Sequence, residues 1–243
     1  MADFKFLVDS TGAVGSIDLN RPEEDNRLTR SALVQLAAHV RELGANEKLH
    51  VLVVKSRGKT FCGGRDARGE DRSGLSAYEL RKTMDAILDV YEAINAAPIP
   101  VVALAQGPGI GFGAALAGGC DITLAADTAR FAFNEIKHGT PPTLAMSAVL
   151  RKVPAKALTY LIYSGAEIDA REALVFGLVS RVVPAEKFAA ESEAFVTELA
   201  SRPRLVLETI KKYQNNATGL PAPMASEYAG TLMAVVRAPK PKP

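Results

Sequence analysis

Two glycine-rich stretches and one glutamate carry the residue types from which chemistry can be built in this chain. Gly109-Ile110-Gly111-Phe112-Gly113 opens the small-residue run GIGFGAALAGGCD, 109–121, directly after the apolar segment Val101–Ala105. Gly63-Gly64 sits in a similar passage, GKTFCGGRDA at 58–67, which follows the apolar segment His50–Lys55. A strand that enters a glycine turn and then a helix leaves backbone N–H groups unpaired, and the helix dipole adds partial positive charge there. An anion or a developing oxyanion is stabilised at such a place. Three readings of the second turn compete. It can be a packing turn. It can be a dinucleotide fingerprint, since Gly109, Gly111 and Ala114 satisfy the relaxed pattern. Or it can be half of an oxyanion hole. The dinucleotide reading lacks the acidic strand-end residue expected about 20 residues on. The oxyanion reading needs a second donor, which the Gly63-Gly64 loop offers.

The candidate acid or base is Glu135, in FAFNEIKHGTPP. A glutamate is ordinarily a solvated surface group. Here Phe131, Phe133 and Ile136 surround it with apolar side chains, which raises a carboxyl pKa toward a useful range. His138, a turn further on, reads as structural or supporting. Glu70, Asp71 and Tyr78 lie in or just after a charged loop and are candidates for a second acid, although each reads first as solvated. Asp66 is expected to fix its loop by hydrogen bonds, and Asp121 and Asp127 to serve turns or caps. Cys62 and Cys120 form no CxxC pair and histidines do not cluster, so a disulfide framework or metal site is not expected.

The elements that must position these groups follow from periodicity. Phe4–Asp9 and Val14–Leu19 read as a hairpin, and Thr29 caps a helix with Leu33, Leu36, Ala37, Val40 and Leu43 on one face. His50–Lys55 and Val101–Ala105 read as strands buried on both faces. Between them Ser76–Ala97 reads as one long helix. Short strands follow at 122–125 and 130–133. Helices are expected at 144–150, 155–163 and 170–176, then a strand at 178–183. Helices at 185–201 and 203–216 come next, a Pro-Ala-Pro break, a last helix near 224–236 and a frayed APKPKP tail. This order predicts a mostly parallel α/β core with a helical appendix. With 243 residues, 48% of them hydrophobic, the chain can fill one large or two small domains. A net charge of +2 gives no electrostatic case for nucleic acid. No apolar run approaches the length of a membrane span, and the first residues read as neither signal nor transit peptide, so a cytoplasmic protein is expected.

Taken together, KTFCGGRDA and ALAQGPGIGFGAALAGGCDITLAADTARFAFNEIKHGTPP resemble the crotonase, or enoyl-CoA hydratase/isomerase, superfamily. LNRPEEDNRLT near the start and LIYSGAEIDAREALVFGLVSRVVP at 161–184 are similar to further family segments, and the likeness covers roughly 3–215. The resemblance implies a crotonase-like ββα spiral core over 1–184 and a C-terminal helical region, 185–243, that forms a homotrimer or hexamer. It implies an acyl-CoA thioester as substrate, with no separate cofactor. The thioester oxygen would be held by the N–H groups of Arg65 and Phe112, with Gly64 and Gly111 shaping the turns. Arg27, Lys59 and Arg65, with Lys211 or Lys212, are candidates to meet the coenzyme phosphates. Phe112 stands where the family usually has glycine and should narrow the acyl pocket. Hydratases of the family carry two glutamates; here the first position is Ala115 and only Glu135 remains. Adding water is easiest with two proton-handling groups, whereas moving a double bond needs one. The resemblance therefore favours an isomerase or lyase over a hydratase with a relocated second acid. A non-catalytic CoA-binding homologue is the remaining alternative.

Overall fold

The computed structural model describes residues 4–238. The expected fraying of the tail falls on Pro239–Pro243, outside the described residues. The hairpin forms β1 (Lys5–Thr11) and β2 (Val14–Asn20), paired antiparallel. Helix α1 (Arg30–Ala45) follows, and the Thr29 hydroxyl accepts a hydrogen bond from the Ala32 N–H, the cap expected from sequence. Next come β3 (Val51–Ser56), α2 (Ala77–Thr83), α3 (Asp85–Ala96) and β4 (Val101–Ala105). The glycine stretch supplies β5 (Gly109–Ile110) and α4 (Phe112–Gly119), followed by β6 (Ile122–Ala126) and β7 (Arg130–Ala132). Then come α5 (Thr143–Val149), α6 (Ala155–Ser164), β8 (Ile168–Asp169), α7 (Ala170–Val175) and β9 (Arg181–Val183). Helices α8 (Phe188–Ala200), α9 (Arg204–Ala217) and α10 (Ala222–Arg237) complete the chain.

Six strands form one sheet in the order β1-β2-β3-β4-β6-β9, parallel from β2 onward. A smaller sheet, β5-β7-β8, stands beside it. Val51 to Val54 are all buried because apolar layers cover both faces. On one side α1, α3 and α4 share the main core, and on the other Phe188, Val196 and Ala200 of α8 pack on Val53, Val102 and Leu124. Since β3 and β4 are parallel neighbours, their carboxyl ends emerge at the same edge, and the loops that follow them meet there.

Three expectations are corrected. The long helix at 76–97 is divided at Met84, where Met84 N–H bonds to Arg81 O and Ile87 N–H to Met84 O, a tighter turn. The Pro-Ala-Pro segment starts α10 instead of breaking the chain before it, because proline is tolerated in a first helical turn whose N–H groups lack partners anyway. The strand expected at 178–183 is confined to β9.

Helix α4 is the centre of the construction. All eight of its residues are buried, which only small side chains allow. Its C-terminal carbonyls are satisfied by Lys152, whose Nζ donates to Gly119 O and to Cys120 O at 2.8 Å. Its N-terminus points to the loop edge.

Candidate active site

The two glycine turns are in direct contact. Cys62 N–H donates to Pro108 O at 3.1 Å and Ile110 N–H to Cys62 O at 2.9 Å, so the loops are stitched like a short parallel ladder. A β-carbon built on Gly113 would lie 1.9 Å from Cys62 O. The absence of a side chain there lets one loop lie on the other. Gly64 has φ +104°, and a β-carbon on it would approach Ile110 O to 2.9 Å and Phe112 N to 3.9 Å. The N–H groups of Arg65 and Phe112 have no hydrogen-bond acceptor among the described residues, and both residues line one cavity.

A second polar strap holds the first loop. Leu28 N–H donates to Gly64 O (3.0 Å), Asp66 N–H to Leu28 O (2.8 Å) and Gly63 N–H to Asp25 O (2.7 Å). Asn26, fully buried with φ +53°, donates to Arg57 O and Thr60 O and accepts from Arg21 N–H. Arg21 in turn donates to the buried Asp66, which also accepts from Arg68. Those hydrogen bonds, from Arg68 foremost, hold the Asp66 carboxyl far below the usual carboxylate range. Asp66 thus fixes the loop, as expected from its position.

Glu135 reaches the same place from β7. Gly111 N–H donates to Ala132 O at 2.7 Å, and this pairing sets the turn Glu135–His138 against the start of α4. A β-carbon on Gly111 would lie 3.1 Å from Glu135 Oε1. Oε2 is buried without a partner. Burial raises the Glu135 pKa, opposed more weakly by a backbone hydrogen bond and by His138. The cavity holds about 510 Å³. One polar edge, an apolar wall of Met84, Ile87, Phe112 and Leu144, two free N–H groups and a half-buried carboxyl meet there. Such a set can bind a carbonyl and move a proton beside it.

A family model described as enoyl-CoA hydratase/isomerase matches residues 9–234. The chain belongs to the enoyl-CoA hydratase/isomerase family. It is 32% identical over 213 residues to the Mycobacterium leprae protein named "Probable enoyl-CoA hydratase echA8", covering 87% of this chain and 81% of that one. The crystal structure of an enoyl-CoA hydratase from Mycobacterium smegmatis superposes with a TM-score of 0.90 at 30% identity, over 96% of this chain and 91% of that one. An enoyl-CoA hydratase structure from Bacillus anthracis gives a TM-score of 0.88 at 25% identity, over 97% and 92%. The crotonase-like α/β spiral with a helical C-terminal region is the fold of this chain.

Within that enoyl-CoA hydratase/isomerase frame, the expected residues divide sharply. Arg65, Gly64, Gly111, Phe112, Glu135, Arg27 and His138 all line the cavity. Lys59 does not; it is exposed on the loop after β3. The Arg65 guanidinium is turned onto Glu70 and Met84 Sδ, so its charge is already matched. Lys211 is buried and donates to Ile94 O (2.8 Å) and Ile99 O (3.1 Å), and it pairs with Asp121 at 2.7 Å, which removes it as a phosphate ligand. Lys212 lines a different cleft, with Pro98 and Glu208.

The candidates for a second acid fare no better. Burial works against ionising Glu70, but hydrogen bonds from Arg72 and Arg65 outweigh it and hold the pKa below its ordinary value. Asp71 is spent on Ser73 N and Oγ. Tyr78 is 69% exposed under Lys82. Cys62 and Cys120 are free and buried, and burial pushes both thiols up to about 12. Sequence reasoning missed Tyr91, which lines the cavity, and Asn134, beside Glu135. A tyrosine on the apolar face of a helix reads as core; its hydroxyl was the available signal.

Proposed function

We propose that this chain acts on acyl-CoA thioesters through an enolate, with Glu135 as the only proton carrier retained at the family's two glutamate positions. The observation that carries the reading is the Glu135 carboxyl, partly buried with a partnerless oxygen, against Gly111 and next to the free Phe112 N–H. In this reading the thioester oxygen accepts hydrogen bonds from the Arg65 and Phe112 N–H groups. Each such donor contributes about 2.7–4 kcal/mol to stabilising the oxyanion, and α4 adds its positive end. The α-carbon becomes acidic, Glu135 takes a proton and returns it at another carbon, and the double bond moves. The carboxyl's raised pKa suits both halves of that shuttle. Arg27, exposed at the cavity rim and without an ion pair among the described residues, is the cation best placed to meet coenzyme phosphates.

Hydration of an enoyl-CoA is the second reading, favoured by the names of the relatives and disfavoured by Ala115, which is fully buried in α4 and cannot carry a proton. Incubation with 2-enoyl-CoA and 3-enoyl-CoA in separate reactions tests the two. Double-bond migration lost in Glu135→Gln supports the isomerase reading. Net addition of water by the wild-type protein overturns it in favour of the hydratase. The C-terminal helices present exposed Leu205, Ile210, Met224, Met233 and Val235. We assign this apolar surface to contact between copies, as a homotrimer or hexamer; light scattering that returns a monomer removes the assignment.

A further inference from the structure

Two buried oxygens that find no hydrogen-bond partner among the described residues belong to side chains lining the same cavity: the Tyr91 hydroxyl and Glu135 Oε2. Tyr91 projects from α3 and is only 6% exposed, and its ring stacks on Phe112 with centroids 5.7 Å apart and planes 18° from parallel. The phenol is thereby held in place. Glu135 approaches the same turn, with Oε1 3.1 Å from the place a β-carbon on Gly111 would take. The two side chains thus flank consecutive residues, Gly111 and Phe112, close enough for the Glu135 charge to bear on the phenol. Burial foremost, and then that charge, push the Tyr91 pKa well above its usual value, so the hydroxyl keeps its proton. It is a donor without an acceptor, and an ionised Oε2 is an acceptor without a donor.

Leaving both buried and unpaired is costly, and phenylalanine would stack on Phe112 as well as tyrosine does. Ile87, Phe112 and Leu144 around the cavity carry no side-chain polar atom. The other titratable groups nearby have their own settings. Arg65 and Arg72 are held by Glu70, the buried Cys62 thiol stays protonated, and Lys137 lies against Gly165. His138 favours the ionised carboxyl from Glu135's own turn, and Arg27 sits at the exposed rim. Resting on the reading of Glu135 as the proton carrier, we propose that Tyr91 is its positioning residue, donating to Oε2 through one water that bridges the two oxygens. A water between two polar groups in a roomy site holds nearly as well as a direct bond. Tied at Oε2, the carboxyl presents Oε1, the oxygen beside the glycine turn, to the proton it moves. A hydrogen bond donated to a carboxylate favours its ionised form, so the bridge limits the rise in pKa that burial imposes.

Carbon NMR of the intact, ligand-free protein, isotopically labelled at its glutamate carboxyls, tests this without turnover. The Glu135 resonance is the one absent from Glu135→Gln. In Tyr91→Phe, which keeps the ring and removes one oxygen, the Glu135 titration midpoint should rise by about one pH unit. With 3-enoyl-CoA as substrate, the pH–rate midpoint should rise equally while KM stays within about twofold. A tyrosine that only packs would move neither midpoint. A Glu135 NMR midpoint that is unchanged or lowered in Tyr91→Phe overturns the proposal and leaves the acyl-CoA reading intact. Absence of turnover with any enoyl-CoA overturns that reading, while the NMR titration still decides whether Tyr91 holds the carboxyl.

Discussion

Arg21 donates to Asp66 at 2.9 Å, and the two side chains are only 6% and 1% exposed. The pair lies one residue beyond Arg65, so it sets the direction of the N–H assigned to the oxyanion. Removing the carboxylate leaves a buried guanidinium uncompensated, which costs about 3–5 kcal/mol. Asp66→Asn should lower stability by that amount in chemical denaturation. The sign with pH follows from the depressed Asp66 pKa. Its stabilisation is complete above the unfolded pKa and is lost as pH falls through the folded one. Melting temperature should therefore fall less steeply in acid for Asp66→Asn than for the wild-type protein.

Glu135 carries the opposite sign. Its pKa is raised in the folded protein, so the stability linked to its proton is present below the unfolded pKa and lost as pH rises through the folded value. Glu135→Gln should melt at a temperature equal to or above that of the wild-type protein at pH 8, while turnover of acyl-CoA falls by about 10²- to 10⁴-fold. In the wild-type protein the rate should rise with pH through a midpoint above the ordinary carboxylate range. Gain of stability with loss of rate in a single variant distinguishes a working carboxyl from a structural one.

Gly113 and Gly230 make a paired test of why glycine is used. A β-carbon on Gly113 meets the Cys62 carbonyl oxygen, whereas one on Gly230, inside α10, meets nothing within 4 Å. Gly113→Ala should cost about 3 kcal/mol or more. Gly230→Ala should stabilise by about 0.5–1 kcal/mol, the helix-propensity difference. Denaturant unfolding of both variants reads the contrast.

Lys211 ties α9 to three segments at once: the end of α3 through Ile94 O, the turn before β4 through Ile99 O, and the residue before β6 through Asp121. Lys211→Ala strands those acceptors and should cost about 3–5 kcal/mol. Affinity for free coenzyme A should stay within about twofold of wild type, since the ammonium faces the interior. A large loss of coenzyme A affinity at unchanged stability would return Lys211 to the binding surface.

Much of this arrangement was legible in the chain because its causes are local. Val51–Val54 announces a strand covered on both faces, and Thr29 announces a helix start. The two glycine turns and Glu135 stood out by type and spacing. Three features stayed hidden because their causes are not local. The two-residue strands β5 and β8 exist only through partners far along the chain. The Arg21–Asn26–Asp66 strap is assembled from residues that look like ordinary loop polars. Lys59 and Lys211 have equal charge in the sequence, and only burial separates a solvated cation from an internal tie. Of the three readings of the second glycine turn, packing and the freeing of N–H groups stood as alternatives. In the folded protein they coexist, because Gly113 gives its room to the backbone of the other loop while the Phe112 N–H next to it is left without an acceptor.

That interlock has a consequence for how such a protein can diversify. With Cys62 and Gly113 sharing one van der Waals seat, neither turn can be reshaped without dislodging its neighbour, and the carbonyl socket behaves as a fixed tool mount. New chemistry is more readily installed around it by exchanging individual side chains, such as those at Ala115 and Phe112, than by rebuilding the mount.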